Sequence, residues 1–238
     1  MIFTSFFKAL AQIGDPRFRK VLWRGLGLTL GLLAAITAVL VWGIGWLVGD
    51  AVTLPLLGEV QWVDNVLSWA FVALMIAMSF FLMIPVASAF VSMFLDEVAE
   101  AVEERHYPSL PKVAGPPVKD EILDGLSAMG VLIVANVVAL LLTLVLPIAG
   151  LPVFYALNGF LLGREYFTVA AMRRVGRSRA TELRKRHGAV IWMAGVLMAV
   201  PLTVPILNLV VPIVGAATFT HIFHRLVNRS GESAEMAG

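Results

Sequence analysis

The sequence predicts an all-α integral membrane protein: two long transmembrane helices, two Pro/Gly-broken helical hairpins and an amphipathic N-terminal helix. Three observations carry that expectation. Hydrophobic residues fill 59% of the 238 positions and charged residues only 14%, against about 25% charge in ordinary soluble domains. All 18 Lys and Arg residues fall in four patches, 1–24, 105–119, 164–187 and 225–229. Between the patches the chain is apolar, in long unbroken runs first and in Pro/Gly-interrupted blocks later.

The patches imply a topology. Residues 49–65 hold Asp50, Glu59 and Asp64 and no base. Positive charge is retained on the cytoplasmic side of a bilayer, so the four patches and both termini belong inside and residues 49–65 outside. Residues 1–24 set five bases against Asp15, and residues 164–187 set eight against Glu165 and Glu182. Such patches face anionic headgroups and anionic solutes. Residues 96–128 reverse the balance, with eight acids and three bases. No basic fold module accompanies the charge, so nucleic acid is not an expected partner. The chain has no Cys, which excludes disulfides and thiolate chemistry.

The elements follow in order. Phe3, Phe6, Phe7, Leu10 and Ile13 recur at helical spacing, which predicts an interfacial helix over 1–14 rather than a cleaved signal. Asp15-Pro16 ends it and opens a new helix. Residues 21–48 form the first long span, and at 1.5 Å per residue they exceed the ~30 Å hydrocarbon core. Arg24 snorkels to the interface, and Trp42 and Trp46 mark the outer end. Gly27 with Gly31, and Gly45 with Gly49, have the spacing of close helix contacts. Residues 66–95 form the second long span, kinked at Pro85. It continues into Asp96, Glu97, Glu100, Glu103 and Glu104 as one polar face.

Residues 127–163 and 188–223 are the hairpins, and 224–238 a cytoplasmic tail. The first breaks at Pro147, Gly150 and Pro152, the second at Pro201, Pro205, Asn208 and Pro212. Arms of about 16 residues reach only ~24 Å, short of the core thickness. Squat spanning pairs and hairpins that dip and return both fit, and partial penetration is the favoured expectation. Irregular backbone survives in a membrane only where protein or water shields it, so the apices line a cavity or are buried in a homo-oligomer. Leu146-Pro147-Ile148 echoes Val204-Pro205-Ile206, and paired Pro-interrupted segments point to a transport site.

Catalysis is not expected. His221 and His224 share a helical face but lack an acid spaced to complete a metal site, and read as interfacial. His106 and His187 read as solvent-exposed, and Asp96, Glu97 and Glu100 as a solvated helix end. No nucleophile or nucleotide-binding motif is present, so no cofactor or metal is expected. Anion handling is the better candidate. Arg17, Arg19 and Lys20 follow Pro16 where a helix start offers free N–H groups and a positive dipole end. Guanidinium adds two-pronged contact to an oxyanion, although the same bases also serve as topology determinants. Asn158, Asn208 and Thr203 are the polar residues expected at the apices or along a pore. Arg164 and Glu165 are spaced to form an ion pair at the first hairpin's exit.

A family resemblance joins this reading. Residues 198–224, with Ile206-Leu207-Asn208-Leu209 between prolines and Gly215-Ala216-Ala217-Thr218 after Pro212, resemble the C-terminal signature of the bacterial CysZ sulfate-uptake proteins. Those group with the etoposide-induced membrane proteins. Phe18-Arg19-Lys20 after Asp15-Pro16 is similar to the family's Pro-x-x-Arg-Arg element, residues 85–104 to its apolar-then-acidic run, and Gly163-Arg164-Glu165-Tyr166-Phe167 to a motif of a related branch. The resemblance implies an oligomeric inner-membrane protein that moves sulfate inward for cysteine synthesis. It also implies two long spanning helices, two partly penetrating helix pairs and sulfate bound near Arg19 and Lys20. Gln12-Ile13-Gly14 stands where the family has Gly-Leu-Asn, and Lys20 replaces an Arg. The expected function is therefore an anion permease or channel with sulfate and lipids as partners. The alternative is a non-transporting, membrane-organising protein that binds anionic lipid.

Overall fold

A computed structural model describes residues 1–48, 53–54, 58–59, 94–113 and 115–229 of the chain. The expected second long span lies outside the described residues up to residue 93, as do most of the expected external loop and the end of the tail. A two-residue antiparallel pairing, β1 (Thr53–Leu54) with β2 (Gly58–Glu59), matches Thr53 with Glu59 and Leu54 with Gly58. All other regular structure among the described residues is helical.

Helix α1 (Ile2–Ala11) packs its small residues Ser5 and Ala9 against the last helix. Its opposite face leaves Phe3 and Phe7 exposed at 66% and 63%, as an interfacial helix requires. After a turn at 12–14, Pro16 opens α2 (Pro16–Val48) at the position where a missing N–H costs nothing. Asp15 Oδ1 accepts the Arg17 N–H at 2.9 Å and so caps this helix. α3 (Leu95–His106) packs along α2.

α4 (Val118–Val145) absorbs the short helical start before residue 127 without a break, so its first arm is longer than expected. Its apolar part, Ile122–Val145, has 24 residues and spans ~36 Å at 1.5 Å per residue, enough to cross ~30 Å of hydrocarbon. Leu146 then leaves the helical region (φ −131, ψ 79), Pro147–Ala149 make a single 3-10 turn, and α5 (Gly150–Arg186) returns along α4. Val204 likewise leaves the helical region, here to extended backbone (φ −106, ψ 111), before Pro205. Proline disfavours helical backbone in the residue before it, so the sequence echo between the hairpins is also an echo of backbone shape. α5 is broken at Gly176 (φ 72, ψ 169), a conformation essentially restricted to glycine. The second hairpin comprises α6 (Gly188–Ala199), a 3-10 turn over Val200–Thr203, α7 (Pro205–Asn208) and α8 (Val211–Arg229). α6 has 12 residues and reaches only ~18 Å, too short to cross alone.

Pro16–Val39 and Ile122–Val145 are each long and apolar enough to span a membrane. The pair Pro147–Arg186 and Gly188–Thr203, bent by 88°, adds a third only if taken as one broken span. None of the apolar stretch of α4 is buried, and Leu140, Leu144 and Val145 are 68–76% exposed. A continuous apolar surface of this extent belongs against lipid or another chain. The chain is an all-α membrane protein.

The tightest packing is glycine-mediated. Gly159 and Gly163 on α5 meet Gly195 on α6 so closely that a Cβ on Gly163 would stand 2.7 Å from the Ile191 carbonyl oxygen. A Cβ on Gly195 would overlap the Gly159 carbonyl oxygen outright. Small residues let membrane helices approach to backbone contact. Gly27 and Gly31, which have the same spacing, face nothing within 4 Å among the described residues. α8 is buried on nearly every face, with Gly215 against the Tyr166 ring and Phe223 against Phe167.

Candidate anion-handling surface

The bases of α2 divide into engaged and free. Arg17 Nη2 lies 2.6 Å from Glu104 Oε2, and Arg24 Nη1 lies 2.6 Å and 2.8 Å from the two Glu97 oxygens. Both pairs are seven residues apart on their helices, two helical turns, so antiparallel α2 and α3 meet in register. Arg24 pairs with an acid, and its guanidinium also stands 5.7 Å from the Phe94 ring centre. Hydrogen bonds from Lys112 and Arg17 hold the Glu104 carboxyl below its usual range. Arg19 and Lys20 are exposed, and their side chains make no ion pair or hydrogen bond among the described residues. The start of α2 is not empty, because Asp15 already accepts the Arg17 N–H. One of the N–H groups expected to be free at this helix start is therefore engaged, and Arg19 and Lys20 are the α2 bases left unengaged among the described residues.

Behind this surface lies a buried ion network. Glu103 sits on the same α3 stripe as Ala99 and Val102 and is 3% exposed. Arg174 donates to it twice, Nε to Oε1 at 2.9 Å and Nη2 to Oε2 at 2.7 Å. His224 Nε2 stands 2.9 Å from Oε1, and Arg173 Nη1 is 3.8 Å from Oε2. The guanidiniums also donate to backbone, Arg173 to the Asp96 carbonyl and Arg174 to the Pro111 carbonyl. Burial pushes the Glu103 carboxyl up, but the His224 and Arg174 hydrogen bonds and both guanidinium charges outweigh it and hold it at about 2. The network ties α3, α5 and α8 together. Around it, Tyr107 OH meets His221 Nδ1 at 3.0 Å, and the His106 ring stacks edge-on against His221.

This cluster revises several sequence readings. His221 and His224 are buried core residues, 0% and 1% exposed, rather than interfacial. His106 and His187 are half-buried. Arg164 and Glu165 form no ion pair with each other, since adjacent helical residues point in different directions. Among the described residues no group of three His, Asp or Glu side chains could hold a metal. The signal for Glu103 was available in its place on the Leu95–Ala99–Val102 stripe, but its partners lie over 70 residues away.

The apex residues are not brought together. Asn158 donates to the Phe154 carbonyl at 2.8 Å, and Thr203 to the Val200 carbonyl at 2.8 Å, each within its own turn. Asn208 ends α7 and is half-buried. No hydrogen bond joins the three.

Residues 5–212 match the family described as "Sulfate transporter CysZ/Etoposide-induced protein 2.4". No curated protein matches the chain. The family match runs from α1 into the start of α8, taking in the α2 bases, the α3 acids and the glycine crossing. On that match over most of its length, the chain belongs to the sulfate transporter CysZ/etoposide-induced protein 2.4 family.

Proposed function

We propose that this protein is a passive anion permease of the bacterial inner membrane, carrying sulfate inward for cysteine biosynthesis. It is not an enzyme on this reading. Both termini and all four basic patches face the cytoplasm. The observation that carries the proposal is the division of bases on α2. Arg17 and Arg24 are committed to Glu104 and Glu97, whereas Arg19 and Lys20 stay exposed without counter-charge among the described residues. Two free cations at the polar end of a membrane-crossing helix raise the local concentration of an oxyanion and give it direct contacts. Asn158, Thr203 and Asn208 line the path at the hairpin apices, and a homo-oligomer closes it by covering the exposed flank of α4.

Sulfate uptake into liposomes carrying the purified protein tests this. Arg19→Ala with Lys20→Ala is expected to cut flux roughly tenfold, the effect of losing charged hydrogen bonds of about 1.5 kcal/mol in all. Arg17→Ala should cost less, because its guanidinium is already engaged. Undiminished flux in the double variant removes these residues from the mechanism.

A second reading rests on the exposed Phe3 and Phe7 of α1, which suit a membrane-organising protein bound to anionic lipid. Thermal stability discriminates the two. A rise with sulfate over chloride that is lost in Arg19→Ala with Lys20→Ala supports the permease, and a response unchanged by that double variant favours the lipid-surface role.

A further inference from the structure

We infer that a second oxyanion site lies between α4, α5 and the start of α6, in a cavity edged by Arg164, Arg184 and Lys185. The cavity measures about 410 Å³, and no carboxylate lines it. Ser127 and Gly188 complete its polar side, and Phe160 part of an apolar wall.

Arg164 is the key group. It is 8% exposed, donates to Ser127 Oγ at 3.0 Å, and makes no ion pair among the described residues. Glu165 feels the Arg164 charge but makes no direct ion pair with it, so the cost of this buried guanidinium is only partly offset. Elsewhere this fold supplies a direct partner, since Arg173 and Arg174 surround Glu103. Arg184 is held on the same side of α5: its Nη1 donates to Thr168 Oγ1 at 2.7 Å, and Thr168 in turn donates to the Arg164 carbonyl at 2.7 Å. Asp124 and Glu165 line a neighbouring cavity that shares Arg164; Glu165 feels the Arg164 charge and Asp124 that of Arg184, but neither forms a salt bridge with these cations among the described residues. The Arg164 and Arg184 charges disfavour each other, and an anion in the cavity relieves that repulsion.

The backbone adds to this. Gly188 opens α6, whose first turn has no side-chain cap, so unengaged N–H groups and a positive helix end sit at the cavity wall. The combination fits one tetrahedral sulfate or phosphate group, either a free ion or the headgroup phosphate of an anionic lipid whose chains follow the exposed apolar face of α4. The site is on different helices from Arg19 and Lys20, and its existence does not depend on transport.

The test uses full-length protein carrying Arg19→Ala and Lys20→Ala, in neutral detergent and stripped of lipid, so that the two unengaged cations of α2 contribute nothing. Sulfate is titrated against chloride at constant ionic strength, and dioctanoyl phosphatidylglycerol is titrated separately. At least one probe is expected to bind, and Arg184→Gln or Lys185→Gln at the cavity rim should weaken it roughly tenfold or more. Arg164→Gln should weaken it further if circular dichroism shows the variant folded. Binding of sulfate assigns the site to a free ion, and binding of the lipid alone assigns it to a headgroup. Failure of both probes to bind, or affinity unmoved by both rim variants, overturns the inference.

Discussion

At the residue scale, Glu103 decides most. Its carboxyl titrates at about 2 in the fold against 4.5 when free. A lowered folded value means stability that is fully present above 4.5 and lost as pH falls from there toward about 2. At neutral pH that amounts to about 3 kcal/mol, close to the cost of breaking a buried ion pair. Glu103→Gln, measured by unfolding in detergent, should therefore be about 3 kcal/mol less stable than wild type at pH 7. The gap should narrow below pH 4.5, and a gap as wide at pH 3 as at pH 7 contradicts the account. The sequence showed the acid but not its partners. Glu103 differs from Glu97, Glu100 and Glu104 in one dimension only by its place on the Leu95–Ala99–Val102 stripe, and the packing of α5 and α8 on that side of α3 supplies the partners the stripe cannot name. The same limit applies to Arg19 and Lys20. Their type and position were legible, whereas the engagement of Arg17 and the helix start by Glu104 and Asp15 depended on α3 and on local capping geometry.

Helix elements were more legible, because proline, glycine and hydrophobic runs act locally. The breaks at Pro147 and Pro205 fall where backbone chemistry demands, and α2 opens at Pro16. Which glycines matter was not legible. Gly27/Gly31 and Gly159/Gly163 share one spacing, yet only the second pair has a helix against it among the described residues. Gly195→Ala is expected to destabilise the α5–α6 crossing by more than about 2 kcal/mol through overpacking against backbone. Gly27→Ala should be near neutral, within about 0.5 kcal/mol. Equal losses in both, read by thermal unfolding in detergent, would falsify the assignment of the seam. Gly176→Ala isolates a different cause. A Cβ there meets nothing within 4 Å, but φ is +72, so the expected loss of roughly 1–3 kcal/mol is backbone strain alone.

For the whole molecule, the all-α membrane class followed from composition and charge placement, since lipid selects both over every segment at once. The length of α4 did not, because a helical start among charged residues joined an apolar run without a break. The proposed function rests on one geometric claim, that the basic connector between the hairpins shares the cytoplasm with the N-terminal patch. With no native Cys, single-cysteine labelling by a membrane-impermeant maleimide on intact spheroplasts tests it directly. Ser178→Cys in the connector and Ser109→Cys after α3 should react only once the membrane is opened, whereas Glu59→Cys should react from outside. Labelling of Ser178→Cys in intact cells contradicts the topology and the anion route built on it.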